Sequence, residues 1–142
     1  MDIIRELSHN DYHKQYFDLL SQLTDSPIPD YQDFILQLNM IHNNPNHFIY
    51  VVEKDNKIIA SITLLIEPKF IHGIKNVGHI EDVVVDTNYR NLKLGKRLLE
   101  YCIERCKLFN CYKVILNCKK ELVSYYKRYN FSDKNIEMSL YI

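Results

Sequence analysis

A chain of 142 residues that is 46% hydrophobic can bury roughly two-thirds of the surface it exposes when unfolded, which predicts one domain with one core over residues 1–142. Its 18 basic and 18 acidic residues cancel, and no basic block stands out to grip a phosphate backbone, so no nucleic-acid partner is expected. No apolar run approaches the ~20 residues that cross a bilayer, and the opening Asp2, Arg5 and Glu6 is already charged, which predicts a soluble, cytoplasmic protein without a membrane span.

Residues 1–7 alternate enough for a short strand. Asn10 or Asp11 then caps a helix with Tyr12, Tyr16, Leu19, Leu20 and Leu23 on one stripe, ended by Leu23-Thr24-Asp25-Ser26-Pro27. Asp30 caps a second helix on Phe34, Leu38 and Ile41, which Asn43-Asn44-Pro45 stops. Residues 47–53 and 57–67 are β-rich and joined by Lys54-Asp55-Asn56, a hairpin pattern. A loop over 69–77 leads to a strand over 78–86, whose Val83-Val84-Val85 run reads as buried on both faces.

After residues 89–96 comes a helix with Leu94, Leu98, Leu99, Cys102, Cys106 and Phe109 on its core stripe. A strand over 111–118, a short helix over 121–129 and a closing strand over 136–142 complete the order β-α-α-β-β-β-α-β-α-β. This predicts an α/β (α+β) fold, a mixed sheet with helices on both faces, with a right-handed crossover from the valine strand to its parallel neighbour. A ligand crevice is expected at the carboxyl end of the valine strand. The four cysteines, Cys102, Cys106, Cys111 and Cys118, lack metal-ligand spacing and read as core thiols, so no metal is expected.

Arg90-Asn91-Leu92-Lys93-Leu94-Gly95-Lys96 lies between that strand and the strong helix, where backbone N–H groups and the positive helix end converge on an anion such as a pyrophosphate. The run resembles the R/Q-x-x-G-x-G/A acetyl-CoA loop of the GNAT N-acetyltransferase superfamily. Arg90 matches its leading basic residue and Gly95 its last glycine, while Lys93 stands where many members carry the first glycine. Four ordered blocks narrow the likeness: Lys69-Phe70-Ile71-His72; Gly78-His79-Ile80-Glu81-Asp82-Val83-Val84-Val85; Leu94-Gly95-Lys96; and Asn110-Cys111-Tyr112-Lys113-Val114-Ile115-Leu116. Together they are similar to the eukaryotic glucosamine 6-phosphate N-acetyltransferases. The likeness runs from Leu23-Thr24 to the final strand.

That resemblance implies a GNAT fold and a homodimeric acyltransferase. It implies transfer of the acetyl group of acetyl-CoA to the amine of glucosamine 6-phosphate, on the route to UDP-N-acetylglucosamine. It implies that pantetheine pairs with Val83, Val84 and Val85, that the pyrophosphate sits on Arg90, Asn91, Leu92, Lys93, Leu94, Gly95 and Lys96, and that Tyr126 is the general acid for the departing thiolate. Nine positions earlier, where the family usually has an acidic residue, stands Asn117, which can orient an amine or bind CoA but cannot accept its proton. Glu81 or an ordered water is then the acceptor. The sugar phosphate is expected at Thr24, Lys69, His72, Glu81, Asp82, Tyr112, Lys113 and Tyr141, the last in place of the family's basic residue. Another amine acceptor, or acetyl-CoA binding without catalysis, remains open at this point.

Overall fold

The structure, a computed structural model, describes residues 2–142. Its strands are β1 (Ile4–Glu6), β2 (His47–Lys54), β3 (Lys57–Glu67), β4 (Asn76–Val85) and β5 (Cys111–Leu116). Its helices are α1 (Tyr16–Leu20), α2 (Tyr31–Asn43), the single turn α3 (Ile71–Ile74), α4 (Leu94–Leu108) and α5 (Val123–Lys127). The strands lie side by side in chain order. All neighbours are antiparallel except β4 and β5, which are parallel and joined through α4. A parallel pair needs such a crossover, because no tight turn can bring the chain back to the same end of the sheet.

The hairpin between β2 and β3 turns on Asp55 and Asn56, both at positive φ (50° and 60°), as the two-residue turn that matches strand twist requires. Along β2, Tyr50 and Val52 face one way and Val51 the other, so the sheet carries two apolar faces. One packs under α4 and α5, where Ile62, Leu64, Ile80, Leu98, Leu99, Cys102, Cys106 and Tyr126 meet. The other packs under α1 and α2, where Leu7, Tyr16, Leu19, Phe34, Leu38, Ile58 and Val84 meet. Each large side chain so buried contributes about 1.5–3 kcal/mol. At Gly78, an added Cβ would run into the Cys106 Sγ, which is why α4 can lie so close to β4.

A charged group fixes the start of the chain. The Arg5 guanidinium forks onto Asp11 at 2.8 Å through both of its terminal nitrogens and reaches Glu53 at 2.6 Å, and Lys14 joins Glu53 at 2.8 Å. Burial alone would raise the Asp11 pKa, but the Arg5 fork, the Ser8 N–H and Lys14 hold its carboxyl below the usual carboxylate range.

Four expectations need correction. The first helix is broken: His9–His13 form a 3-10 turn, Gln15 is left-handed (φ 59°), and α1 begins only at Tyr16. Leu23 accordingly falls past the helix and is exposed rather than core. Residues 132–142 form no closing strand, and Ile136, Met138, Leu140 and Tyr141 are exposed. Their alternation suits a strand, but a strand needs a neighbour, and none of the described residues pairs with them. Cys118 is exposed and not a core thiol, because β5 ends at Leu116 and Cys118 follows in the loop.

Candidate active site

Strand β4 changes character halfway along. Between Thr63 and Ser61 the β3 strand advances two residues while β4 advances three, from Glu81 to Val84. The extra residue is taken up at Asp82, which stands at φ 50°. Such a bulge shifts the side-chain alternation by one. Ile80, Val83 and Val85 therefore share the α4 face, and Val84 is buried under α1 and α2. The kink also breaks the simple opposition of side chains that neighbours such as Glu81 and Asp82 would have along an even strand.

The parallel ladder to β5 ends at the pair Ile80 and Leu116. Beyond it, β4 stays paired with β3 only, through Val84 and Val85. Its other edge there offers free N–H and C=O groups in a crevice between diverging strands, at the carboxyl end of β4.

The end of β4 is anchored by Asp86, whose side chain is fully buried. It accepts the Asn88 N–H at 2.9 Å and pairs with Lys57 Nζ at 2.9 Å, while the neighbouring Thr87 N–H donates to Gln22 Oε1 at 3.0 Å. Burial would raise the Asp86 pKa, but Lys57 and the Asn88 N–H hold it below the ordinary range. An Asp directly before Thr-Asn and a helical turn is an N-cap pattern that sequence could have revealed. Nothing in the sequence points to Gln22.

From that anchor the chain makes a 3-10 turn over Thr87–Leu92, passes Lys93 at φ 56°, and enters α4. Lys93, at the first-glycine position, thus holds the left-handed conformation that glycine adopts without steric cost. The N–H groups of Leu94, Gly95 and Lys96 precede the first bond of the α4 ladder, Arg97 N–H to Lys93 O at 3.1 Å. Arg90, Asn91, Leu92, Lys93 and Lys96 are exposed around them, whereas the Leu94 side chain is buried, so it can serve a ligand only through its backbone. A Cβ on Gly95 would sit 2.9 Å from the Tyr125 hydroxyl and 3.8 Å from Val85. The crevice floor, the α4 turn and α5 therefore meet at one point, and only glycine leaves it open. An anionic group such as a phosphate suits this cradle by geometry and by charge.

Tyr126, on α5, is buried against Tyr125 and Phe131 (ring centroids 5.1 and 6.0 Å). Burial and then the nearby Cys118 thiol push its pKa above the ordinary phenol value, so it carries its proton at neutral pH. Asn117 is exposed one residue past β5. Glu81 is half-buried, and burial, Asp82 and Glu137 raise its pKa against the opposing pull of His79.

The other named residues form two groups. His72 stacks on Tyr112 with centroids 4.1 Å apart, and Lys113 lies over the same ring at 5.5 Å. His72 sits in α3 at φ 53°, followed by Gly73 (72°) and Ile74 (62°). A β-branched residue there is strained. Lys69 joins Glu67 at 3.6 Å, and Glu67 also meets His79 at 2.9 Å. Among the described residues no side-chain hydrogen bond ties Thr24 or Tyr141 to either group; Thr24 is exposed past α1, and Tyr141 lies in the exposed tail. No three His, Cys, Asp or Glu side chains cluster as a metal site among the described residues. An apolar cavity of ≈ 400 Å³ lies on the α1 and α2 side, lined by Tyr16, Phe17, Phe34, Leu38 and Ile49 among others, apart from the crevice.

A sheet that splays at a bulged strand and aims its free edge at a helix start is an acetyltransferase architecture, and the profile of the acetyltransferase (GNAT) family matches residues 5–131: the chain belongs to that family. Its relatives narrow the class. It is 38% identical to the glucosamine 6-phosphate N-acetyltransferase of Arabidopsis thaliana over 97% of this chain and 95% of that one. It is also 38% identical to glucosamine 6-phosphate N-acetyltransferase 1 of Dictyostelium discoideum, over 97% and 89%. The crystal structure of the Arabidopsis enzyme superposes with a TM-score of 0.95 over 99% of this chain and 98% of that chain.

Proposed function

We propose that this chain, as one N-acetyltransferase domain, transfers the acetyl group of acetyl-CoA to the amine of D-glucosamine 6-phosphate, giving N-acetyl-D-glucosamine 6-phosphate and CoA. The observation that carries the reading is the free edge of β4 beyond Ile80, which runs into the unpaired N–H groups of α4 beside Gly95. The names of the near-full-length relatives supply the acceptor. On this reading the donor's amide-bearing arm pairs with Val83, Val84 and Val85, and its pyrophosphate lies against residues 90–96.

The reaction is direct. The amine nitrogen bonds to the thioester carbonyl carbon, the C–S bond breaks, and the Tyr126 phenol gives its proton to the leaving thiolate. The raised pKa of Tyr126 keeps that proton in place until sulfur charge develops. Asn117 orients the amine, and Glu81, directly or through water, takes the amine's proton. Lys69, His72, Tyr112 and Lys113 supply cations and donors for a sugar phosphate, with Thr24, Asp82 and Tyr141 at its rim.

The same reading makes the protein a homodimer in the cytoplasm, feeding UDP-N-acetylglucosamine synthesis. Its support is the surface: Phe70, Ile71 and Ile74 of the strained turn and Ile136, Met138 and Leu140 of the tail are all exposed in one chain, apolar side chains that a second copy would cover. Among the described residues no helix is long and apolar enough to cross a membrane. The test is thiol release from acetyl-CoA with glucosamine 6-phosphate and, in parallel, glucosamine. Turnover that favours the phosphorylated sugar is expected; turnover with neither sugar, or no preference between them, overturns the acceptor assignment.

A further inference from the structure

Two tyrosines follow one another on α5 and do different things. Tyr126 turns into the buried cluster under the sheet. Tyr125 is half-buried, and its hydroxyl stands within 2.9 Å of where a Gly95 Cβ would be. Gly95 is the second residue of α4, between the free N–H groups of Leu94 and Lys96, and the same point lies 3.8 Å from Val85 on the free edge of β4. The hydroxyl is thus a further polar group where the two parts of the cradle meet.

Tyr125 is held there by its neighbours. Its ring meets Tyr126 edge-on at 5.1 Å and Tyr129 at 5.3 Å. Burial, followed by the neighbouring Tyr129, pushes its pKa upward, so the Tyr125 phenol keeps its proton. A packing role needs only the ring. A hydroxyl aimed at a helix start, with a second phenol behind it, has the chemistry of a hydrogen-bond donor to an anion.

Resting on the reading of acetyl-CoA as donor, we infer that Tyr125, backed by Tyr129, is a positioning residue whose hydroxyl donates to the phosphate-bearing part of the donor at the start of α4. It fixes where the thioester lies along β4 and takes no part in proton transfer to sulfur. Loss of one hydrogen bond to a charged oxygen corresponds to about tenfold or more in affinity.

The experiment compares wild type, Tyr125→Phe and Tyr129→Phe. Calorimetry measures binding of CoA, and steady-state kinetics uses acetyl-CoA and S-acetyl-pantetheine, which lacks the phosphates. For Tyr125→Phe the expected result is about tenfold weaker CoA binding and a matching rise in KM for acetyl-CoA, with kcat changed less than about twofold. KM for S-acetyl-pantetheine should not move, and Tyr129→Phe should show the same pattern at smaller size. Unchanged CoA affinity in folded Tyr125→Phe overturns the inference, and so does an equal KM rise for both donors, which would mark a packing effect. If wild type itself fails to bind CoA, the donor reading falls instead.

Discussion

The two halves of β4 differ more than any two separate elements of the molecule. From Val77 to Ile80 the strand is paired on both sides and sealed by α4, with Gly78 pressed against Cys106. From Glu81 to Val85 it is paired on one side, kinked at Asp82, and open toward the α4 start. The first half is governed by packing, where every atom has a neighbour. The second keeps backbone groups unmatched, which a buried strand tolerates only where a partner arrives from outside. One strand is thus rigid in one half and open-edged in the other, and the bulge is the border between them.

The sharpest test of the open half removes one hydroxyl. Tyr126→Phe should lower turnover by about 10²-fold, the low end of a general-acid contribution, while leaving the melting temperature and CoA affinity nearly unchanged. Equal turnover of variant and wild type in the thiol-release assay would return Tyr126 to a purely structural role. The closed half should respond in the opposite way: Gly78→Ala drives a methyl into Cys106 and should destabilise by about 1–3 kcal/mol. Urea unfolding reads that loss, with the activity of the folded fraction retained.

High pH should also strike the closed half first. Burial pushes the Cys102 and Cys106 thiols up to about 12, against about 8.5 in an unfolded chain. These groups are protonated in the folded state, so their contribution is complete below the unfolded value and is lost as pH rises from there toward 12. Melting curves between pH 8 and 11 should show a decline that a Cys102→Ala and Cys106→Ala double variant lessens, measured as the slope of stability against pH. The smallest effect is expected at the border of the open half. Lys93→Gly relieves a left-handed lysine and should raise stability by at most about 1 kcal/mol, seen as a slightly higher melting temperature. A drop would mean that the Lys93 side chain holds the loop by contacts of its own.

Much of this was readable in the residues. The α4 stripe of Leu94, Leu98, Leu99, Cys102 and Cys106 emerged as the buried face, because helical spacing and burial go together. Asp55 and Asn56 marked their turn, and the valine run marked the strand beside the loop. The bulge at Asp82 was not legible, since one added residue leaves no compositional trace yet reverses every side chain after it. The tail misleads for a related reason: Ile136, Met138 and Leu140 alternate as a strand does, but alternation says nothing about whether a neighbour is present. Nor could sequence say which of Tyr125 and Tyr126 turns inward, because adjacent helical positions differ by about 100° and both are aromatic. The Gln22 carboxamide at Thr87 spans 65 positions, beyond any local pattern.

The press of Gly78 against Cys106 has a consequence for chemistry at sulfur. The Cys106 Sγ fills the space that a side chain on β4 would otherwise take, so an oxidised or alkylated sulfur has no room beside it while the sheet is intact. Cys102 is equally enclosed, and Cys111 is half-covered, which leaves Cys118 as the exposed thiol of the four. A disulfide reagent added to the native protein should therefore titrate Cys118 rapidly and Cys111 slowly, and reach Cys102 and Cys106 only as the chain unfolds. The burst from Cys118 sets the baseline above which released CoA is counted, and the late pair turns the same reagent into a clock for opening of the α4 face.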